Sequence, residues 1–211
     1  KVVNGKTVYD VSPEEFSKDV RSLIEKGVRI VGGCCGTTPK YIKALTQKTK
    51  GQIPVSIEKK NFSVVSSYTH AVEFGKEPIL IGERINPTGK KKLKEALKTN
   101  DIDYVLKEGV LQQEKGVHIL DVNVGLPEID EKETLTKIVC GLQAIINLPL
   151  QIDTSNVLAM EKALRIYNGK AMVNSVNGKE ESMSAVFPLV KKYGGLVVCL
   201  TLDENGIPEK A

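Results

Sequence analysis

The sequence has 211 residues, of which 41% are hydrophobic and 27% charged, a composition typical of a folded globular protein and not of a disordered or collagen-like chain. No apolar run approaches the ~20 residues that span a bilayer. The net charge of +4 is small, and the basic cluster at 89–98 contains no aromatic residue. We therefore expect neither a nucleic acid nor a membrane as partner. Four cysteines are too few for a disulfide framework and favour a reducing compartment, which suggests a cytoplasmic protein.

The first 50 residues predict two helices with a strand between them. A capping-box pattern starts at Ser12, with Pro13 at the first helical position. The apolar run 28–31 predicts a strand that leads into a pair of adjacent cysteines. A second helix is expected to start at Thr38, which precedes another proline.

Residues 51–77 lack a clear hydrophobic period and mix proline, glycine, serine and charged residues. Only a short strand at 62–65 is indicated. Because a loop of this length is uncommon within a compact domain, we interpret the segment as a connector between two domains.

From residue 78 onward, short apolar runs alternate with amphipathic segments. Strands are expected at 78–82, 117–121, 148–153, 171–174 and 196–203, with helices near 101–115, 131–146, 156–166 and 180–193. This alternation predicts parallel βα units, an α/β fold. Pro188 should kink or split the last helix. Cys140 and Cys199 lie in apolar segments and are expected in the core.

Acid or amide side chains follow the ends of the predicted strands. They are Glu83, Asn86, Asp121, Asn123, Asp153, Asn174 and Asp203. In a parallel barrel the carboxyl ends of all strands open on one face, where active sites lie. The pattern therefore favours a ligand pocket, although helix capping can also place such residues after strands.

The inventory of these side chains indicates the kind of ligand. Ionised carboxylates accept hydrogen bonds, and they do so best from two parallel N–H donors, whereas Asn both donates and accepts. A flat heterocycle with an amidine-like edge, such as a pterin, would use both residue types. The glycine-rich nucleotide-binding motifs are absent from the sequence.

Cys34 and Cys35 stand together in the segment GGCCGTTP, at the end of the predicted strand. Two thiolates at a strand end can face one metal ion, and sulfur ligands favour zinc. The spacing alone also fits a buried pair of cysteines that act as small hydrophobic residues.

Several of these segments resemble known families. GGCCGTTPKYIKAL resembles the last strand and helix of the homocysteine S-methyltransferase barrel. PILIGERINPTG, HILDVNVG, LQIDTSN and AMVNSVN resemble successive strand ends of the pterin-binding barrel. Together, in this order, they resemble the family of cobalamin-dependent methionine synthases. The implied fold is α/β, parts of two TIM (β/α)8 barrels joined by a linker.

The resemblance also implies a division of the chain. Residues 1–50 would be the C-terminal end of the homocysteine- and zinc-binding barrel, 51–77 the interdomain linker, and 78–211 the N-terminal part of the barrel that binds methyltetrahydrofolate. A complete barrel takes about 250 residues, so we expect the chain to be a piece of a longer protein.

The activity implied by the resemblance is methyl transfer from 5-methyltetrahydrofolate to homocysteine through cobalamin, giving methionine and tetrahydrofolate. Cys34 and Cys35 match two of the family's three zinc ligands. Four residues match positions that contact methyltetrahydrofolate, namely Glu83, Asn86, Asp153 and Asn174. Asp121 and Asn123 would lie on the same rim as further cofactor-binding residues. Asp153 would take the amino–amide edge of the pterin and Asn174 its ring nitrogens, and these two are the expected catalytic residues. The cobalamin would be carried by a separate cobalamin-binding domain.

Two expectations follow from the partial coverage of both barrels. This chain by itself should have no methyltransferase turnover, and it should retain zinc weakly. Other readings remain open: a corrinoid-dependent methyltetrahydrofolate methyltransferase, a dihydropteroate synthase, or a non-catalytic scaffold. The cysteine segment disfavours the first two. In the second, the first motif normally continues from Asn into Thr-Pro-Asp-Ser-Phe, whereas Asn86 is followed here by Pro-Thr-Gly-Lys.

Overall fold

The structure, a computed structural model, describes residues 2–56, 58 and 61–209, with the side chain of Lys6 left out. It divides into two compact units, Lys1–Lys60 and Asn61–Ala211. Within the described residues, none of the helices combines the length and apolar character needed to cross a membrane.

The first unit contains a small antiparallel hairpin and two packed helices. Its elements are β1 (Val2–Val3), β2 (Lys6–Thr7), α1 (Pro13–Glu25) and α2 (Pro39–Thr49). The capping box at Ser12 is confirmed: its hydroxyl accepts the Glu15 N–H, and the Glu15 carboxylate accepts the Ser12 N–H. Between the helices, the Phe16 and Tyr41 rings meet edge to face at 5.7 Å.

The strand expected at 28–31 is wrong. These residues form neither a helix nor a strand, and Ile30 is 92% exposed. A β-strand needs a neighbour to accept and donate its backbone hydrogen bonds. Among the described residues of this unit, the only ladder is the one between β1 and β2.

The second unit begins with a hairpin inside the stretch expected to be a connector. It consists of β3 (Val64–Ser66) and β4 (Ala71–Glu73), so the short strand expected at 62–65 is present with slightly later bounds. Val65 is fully buried against Ile119 and Met172, which lie at the starts of two strands of the main sheet. The Ser66 N–H also donates to the Lys170 carbonyl at 2.9 Å. The hairpin therefore covers the amino-terminal end of that sheet.

The main sheet has five parallel strands whose order in space is their order in the chain. The elements are β5 (Ile81–Ile85), α3 (Lys91–Lys98), α4 (Ile102–Glu114), β6 (Ile119–Val122), α5 (Glu131–Ile145), β7 (Leu150–Asp153), α6 (Val157–Ile166), β8 (Met172–Asn177), α7 (Glu180–Tyr193) and β9 (Leu196–Leu200). Parallel neighbours in chain order are the arrangement of successive βα units in a barrel. The α/β fold class is confirmed.

Alternation along the strands separates the apolar core from the polar site. In β6 and β7, Leu120, Val122, Leu150 and Ile152 are fully buried in the core cluster shared with the helices. The intervening residues, Asp121 and Gln151, point to the other face of the sheet because successive side chains of a strand alternate. The same alternation continues to Asp153.

Two sequence expectations fail near the sheet. Strand β5 starts and ends later than expected, so Glu83 lies within the strand and not after it. Helix α7 runs unbroken through Pro188, so a split helix at this position is wrong. Val186 and Leu189 are buried in the core, and their packing outweighs the one backbone hydrogen bond that a proline removes.

The core positions expected for Cys140 and Cys199 are also wrong, because both side chains are exposed. The buried face of α5 is formed by residues on either side of Cys140, such as Val139 and Leu142, and Cys140 itself faces outward. Cys199 lies in β9, which pairs only with β8 among the described strands. The other edge of β9 is therefore uncovered by any described strand.

Candidate functional site

The polar residues expected at strand ends lie on one face and one edge of the parallel sheet. Glu83 is in β5, Asp121 in β6, Asp153 ends β7 and Asn174 is in β8. The register pairs Asp153 with Asn174 directly across neighbouring strands. Sheet pairing thus brings together residues that are far apart in the sequence.

Asp121 lies at the centre of this group and is 1% exposed. Its Oδ1 accepts an N–H from Gln151, the residue opposite it on β7. The same oxygen accepts a longer hydrogen bond of 3.5 Å from Asn174 Nδ2. Its Oδ2 is buried and receives no hydrogen bond from the described residues.

Asp153 is half-buried and is held by a residue from the preceding strand end. Asn123 Nδ2 donates to Asp153 Oδ2 at 2.9 Å. The Asn123 side-chain oxygen in turn accepts the Gly125 N–H at 2.9 Å. This second bond fixes the amide so that its NH₂ group faces the carboxylate.

Glu83 and Asn86 form a third connected pair on the same rim. Asn86 Nδ2 donates to Glu83 Oε1 at 2.7 Å, and Asn86 Oδ1 accepts the Thr88 N–H at 2.9 Å. Lys90 also contacts this segment, since its ammonium group donates to the Glu83 carbonyl at 2.8 Å. The rim segment after β5 is therefore ordered by its own side chains.

Three further polar residues lie in the candidate site and were not singled out from the sequence: Gln151, Thr154 and Glu131. Gln151 donates a hydrogen bond to Asp121, and Thr154 donates its hydroxyl hydrogen to Glu131 at the start of α5. Gln151 could have been found, because it precedes Asp153 by two positions and must share its face of the strand. The Thr154–Glu131 bond joins two different βα loops, and no local pattern signals it.

The two aspartates have raised pKa values. Burial raises the pKa of Asp121 to about 7; the charge of Asp153 adds to this, and the hydrogen bonds from Gln151 and Asn174 oppose it. Burial likewise raises the pKa of Asp153, while hydrogen bonds from Asn123 and Asp121 lower it. Perturbed carboxyl groups of this kind are typical of functional sites.

A cavity of about 370 Å³ opens beside these residues, between the ends of β7 and β8 and the helices that follow them. Asp153 and Asn174 line it, together with Thr154, Lys179 and Glu181. Its size falls within the range of small-molecule sites.

Asp203 has a local structural role. Its side chain accepts the Asn205 N–H at 2.8 Å, and its backbone pairs with Gly206 across a tight turn. This is the alternative, a turn or cap residue after a strand, that the sequence left open.

Cys34 and Cys35 lie in the first unit, and both are exposed. A buried cysteine pair is therefore wrong. Their sulfur atoms are 3.7 Å apart. A tetrahedral zinc ion with Zn–S bonds of about 2.3 Å places two sulfurs about 3.8 Å apart, so the pair fits two corners of a zinc site. Across the described residues, no group of three or more metal-binding side chains is assembled.

Residues 82–210 match the family model of pterin binding enzymes. This match covers more than half of the chain, and the chain therefore belongs to the pterin binding enzyme family. Residues 1–49 match a second model, that of homocysteine S-methyltransferase.

Two curated relatives are similar to this chain along most of its length. The methionine synthase of Mycobacterium leprae (strain TN) is 31% identical over 212 residues, which cover 94% of this chain and 18% of the relative. The methionine synthase of Mycobacterium tuberculosis (strain ATCC 25618 / H37Rv) is 32% identical over 210 residues, which cover 94% and 17%. The chain thus spans less than a fifth of the length of these relatives.

Proposed function

We propose that this chain is part of a methyltransferase that moves the methyl group of 5-methyltetrahydrofolate to homocysteine through a cobalamin, giving methionine and tetrahydrofolate. In this proposal residues 1–50 belong to the homocysteine module, 51–77 to the linker and 78–211 to the folate module. The whole protein would work in the cytoplasm, and this chain alone would not turn over.

The observation that carries the proposal is the group of hydrogen-bonded polar residues on the sheet edge. Asp121, Asn123, Asp153 and Asn174 come from three neighbouring strand ends and form two hydrogen-bonded pairs, Asn123 with Asp153 and Asn174 with Asp121. The match of this region to pterin binding enzymes supports a pterin as the ligand. The match of residues 1–49 to homocysteine S-methyltransferase supports homocysteine as the second substrate.

Different side chains of the site would bind different parts of a pterin. An ionised Asp153 can accept two parallel N–H donors, which the amino–amide edge of a pterin presents. Asn123 keeps the Asp153 carboxylate in place through its 2.9 Å hydrogen bond. Asn174, with one donor and one acceptor group, would bind ring nitrogens. Glu83 and Asn86 would complete the rim.

The chemistry requires a proton as well as a methyl acceptor. The bond between the ring nitrogen and the methyl carbon breaks more readily when that nitrogen is protonated, because tetrahydrofolate then leaves as a neutral amine. Asp153 and Asn174 are the residues that would hold the ring in register for this step. A cobalamin on a separate cobalamin-binding domain would supply the methyl acceptor.

Cys34 and Cys35 are the residues of this chain that would hold zinc, and their sulfur separation of 3.7 Å suits two ligands of one ion. A zinc ion would bind the homocysteine thiol and favour its thiolate form, which is the nucleophile. In this proposal the third protein ligand would come from another part of the homocysteine module.

Calorimetric titration with 5-methyltetrahydrofolate tests the folate proposal. We expect micromolar binding by the wild type and loss of binding in Asp153→Ala. The matched control is Asp103→Ala, which removes an exposed carboxylate from the first turn of α4 and should leave binding unchanged. No binding by any of the three proteins would favour the non-catalytic scaffold.

A further inference from the structure

The central carboxyl group of the site has one oxygen that is hydrogen-bonded and one that is not. Asp121 is 1% exposed. Its Oδ1 accepts hydrogen bonds from the amides of Gln151 and Asn174. Its Oδ2 is buried and receives no hydrogen bond from the described residues. An ionised carboxylate with a buried oxygen left unpaired is costly, whereas a protonated oxygen needs an acceptor and no donor.

The charges that face this carboxyl group are negative. Asp153 on β7 and Glu83 on β5 both raise the pKa of Asp121. Glu131, at the start of α5, acts in the same direction on Asp153. The groups that donate hydrogen bonds to the two aspartates are neutral amides, from Gln151, Asn174 and Asn123. One lysine, Lys179, is among the residues that line the cavity.

Asp153 is the acceptor that a protonated Asp121 requires. A hydrogen bond from Asp121 lowers the pKa of Asp153, which means that it stabilises the ionised form of Asp153. When two carboxyl groups share a site, like-charge repulsion raises the pKa of one of them, and the pair holds a single proton.

We propose that Asp121 and Asp153 hold one proton between them, carried by Asp121, so that the pair bears one negative charge where it could bear two and the site selects a neutral heterocycle over a cation. The choice of ligand class rests on the function proposed above. The protonation state does not, since it concerns the ligand-free chain.

Gln151 is the positioning residue of this pair. Its amide donates to Asp121 Oδ1, and this leaves Oδ2 as the oxygen that carries the proton. Gln151 Oε1 is itself buried and has no hydrogen-bond partner in the described part of the chain. Leaving this oxygen unpaired costs free energy of folding. Within the described residues, the bond to Asp121 is the one hydrogen bond that the Gln151 side chain makes.

Carbon-13 NMR of the aspartate carboxyl carbons, in the ligand-free chain, tests the protonation state. The Asp121 signal is identified by its disappearance in Asp121→Asn. We expect it to titrate close to pH 7, and the Asp153 signal to show a second, small step at the same pH. In Asp153→Asn, the midpoint of Asp121 should fall by at least one pH unit.

Three results would overturn the shared proton: an Asp121 midpoint below pH 5, an Asp153 signal with a single step, or no effect of Asp153→Asn on a folded variant. If Asp153→Asn does not fold, the first two results, both from the wild-type spectrum, decide whether the proton is shared. Gln151→Leu tests whether Gln151 acts through its hydrogen bond to Asp121 or only by filling space. Loss of the hydrogen bond should raise the midpoint of Asp121 further, whereas the midpoint would stay unchanged if Gln151 only fills space.

The selectivity is tested by calorimetry at pH 6 and pH 8 with 5-methyltetrahydrofolate and, separately, with magnesium ions. The wild type should bind the folate more weakly at pH 8, by a factor that approaches about ten if only the protonated form of Asp121 binds, and Asp121→Asn should bind it equally at both values. Magnesium should not bind at pH 6. Equal folate affinity of the wild type at both pH values, or magnesium binding at pH 6, would contradict the selectivity. Absence of folate binding together with the expected NMR titration would contradict the proposed function alone.

Discussion

Asn123 donates a 2.9 Å hydrogen bond to Asp153, which lies at the end of the neighbouring strand. The two residues follow β6 and end β7, and the bond ties the two strand ends together at the rim of the sheet. It also favours the ionised form of Asp153 against the effect of burial. An amide and a carboxylate from separate βα units thus form one binding surface.

Asn123→Ala should weaken folate binding more than it weakens the fold. Without the amide, the pKa of Asp153 rises and its carboxylate is free to turn away, so we expect at least a tenfold loss of affinity for 5-methyltetrahydrofolate by calorimetry. The stability cost should be only about 1 kcal/mol, because the pair is half-open to water. The control is Asn168→Ala, an exposed residue before β8, which should change neither quantity. Equal affinities of Asn123→Ala and wild type would exclude a role for this bond.

Asp121→Asn should make the protein more stable at pH 8 and leave its stability at pH 4 unchanged. The folded-state pKa of Asp121, about 7, lies above its ordinary value of 3.8. The folded state therefore binds the proton more tightly, and the stability present below pH 3.8 is lost as the pH rises through about 7. The full difference is on the order of 4 kcal/mol, and Asn mimics the neutral acid. Urea unfolding of both proteins across this range measures it, and parallel pH profiles would refute the raised pKa.

Tyr167→Phe should destabilise the second unit. The partly buried hydroxyl donates to the Ser66 carbonyl at 2.9 Å and accepts the Leu150 N–H at 3.0 Å, so it joins the β3–β4 hairpin to the sheet. Its removal leaves two backbone groups unpaired and should cost about 2 kcal/mol. Tyr68→Phe is the control: its hydroxyl bonds to Asn147 at the exposed surface, and we expect a change below about 0.5 kcal/mol. Similar losses in both variants, measured by chemical unfolding, would contradict the joining role of Tyr167.

Zinc should bind to the chain weakly and through Cys34 and Cys35. Two thiolates supply half of a tetrahedral ligand set, so we expect less than one zinc per chain after gel filtration. With zinc in excess, one ion should bind, and the double change Cys34→Ser with Cys35→Ser should abolish this binding. Replacing the exposed Cys140 and Cys199 by Ser should have no effect. Stoichiometric zinc that survives gel filtration would show that further ligands are present.

Much of the second unit could be predicted because its signals are local. Helices α5, α6 and α7 begin and end within one residue of the positions expected from hydrophobic spacing. The strand expected at 28–31 failed for the opposite reason. Its apolar residues satisfy the local pattern, but a strand exists only where another strand pairs with it, and no local pattern contains that information.

The candidate site likewise contains residues that the sequence predicts and contacts that it does not. The residues at the strand ends were visible from sequence, and Gln151 could have been added, because alternation along β7 places it on the face of Asp153. The Thr154–Glu131 bond and the Lys90 contact to the Glu83 carbonyl depend on how separate loops approach one another. The exposure of Cys140 likewise depends on which turn of α5 meets the sheet.

The order of βα units and the alternation along each strand, both readable from the sequence, bring Glu83, Asp121, Asp153 and Asn174 to the carboxyl edge of the sheet. The protonation state of these side chains depends on the tertiary structure. Burial, an unpaired oxygen and the neighbouring charge of Asp153 make Asp121 a different acid from Asp153. These influences come from strands that are distant in sequence, and they depend on distance and on the exclusion of water, neither of which is a property of a residue type.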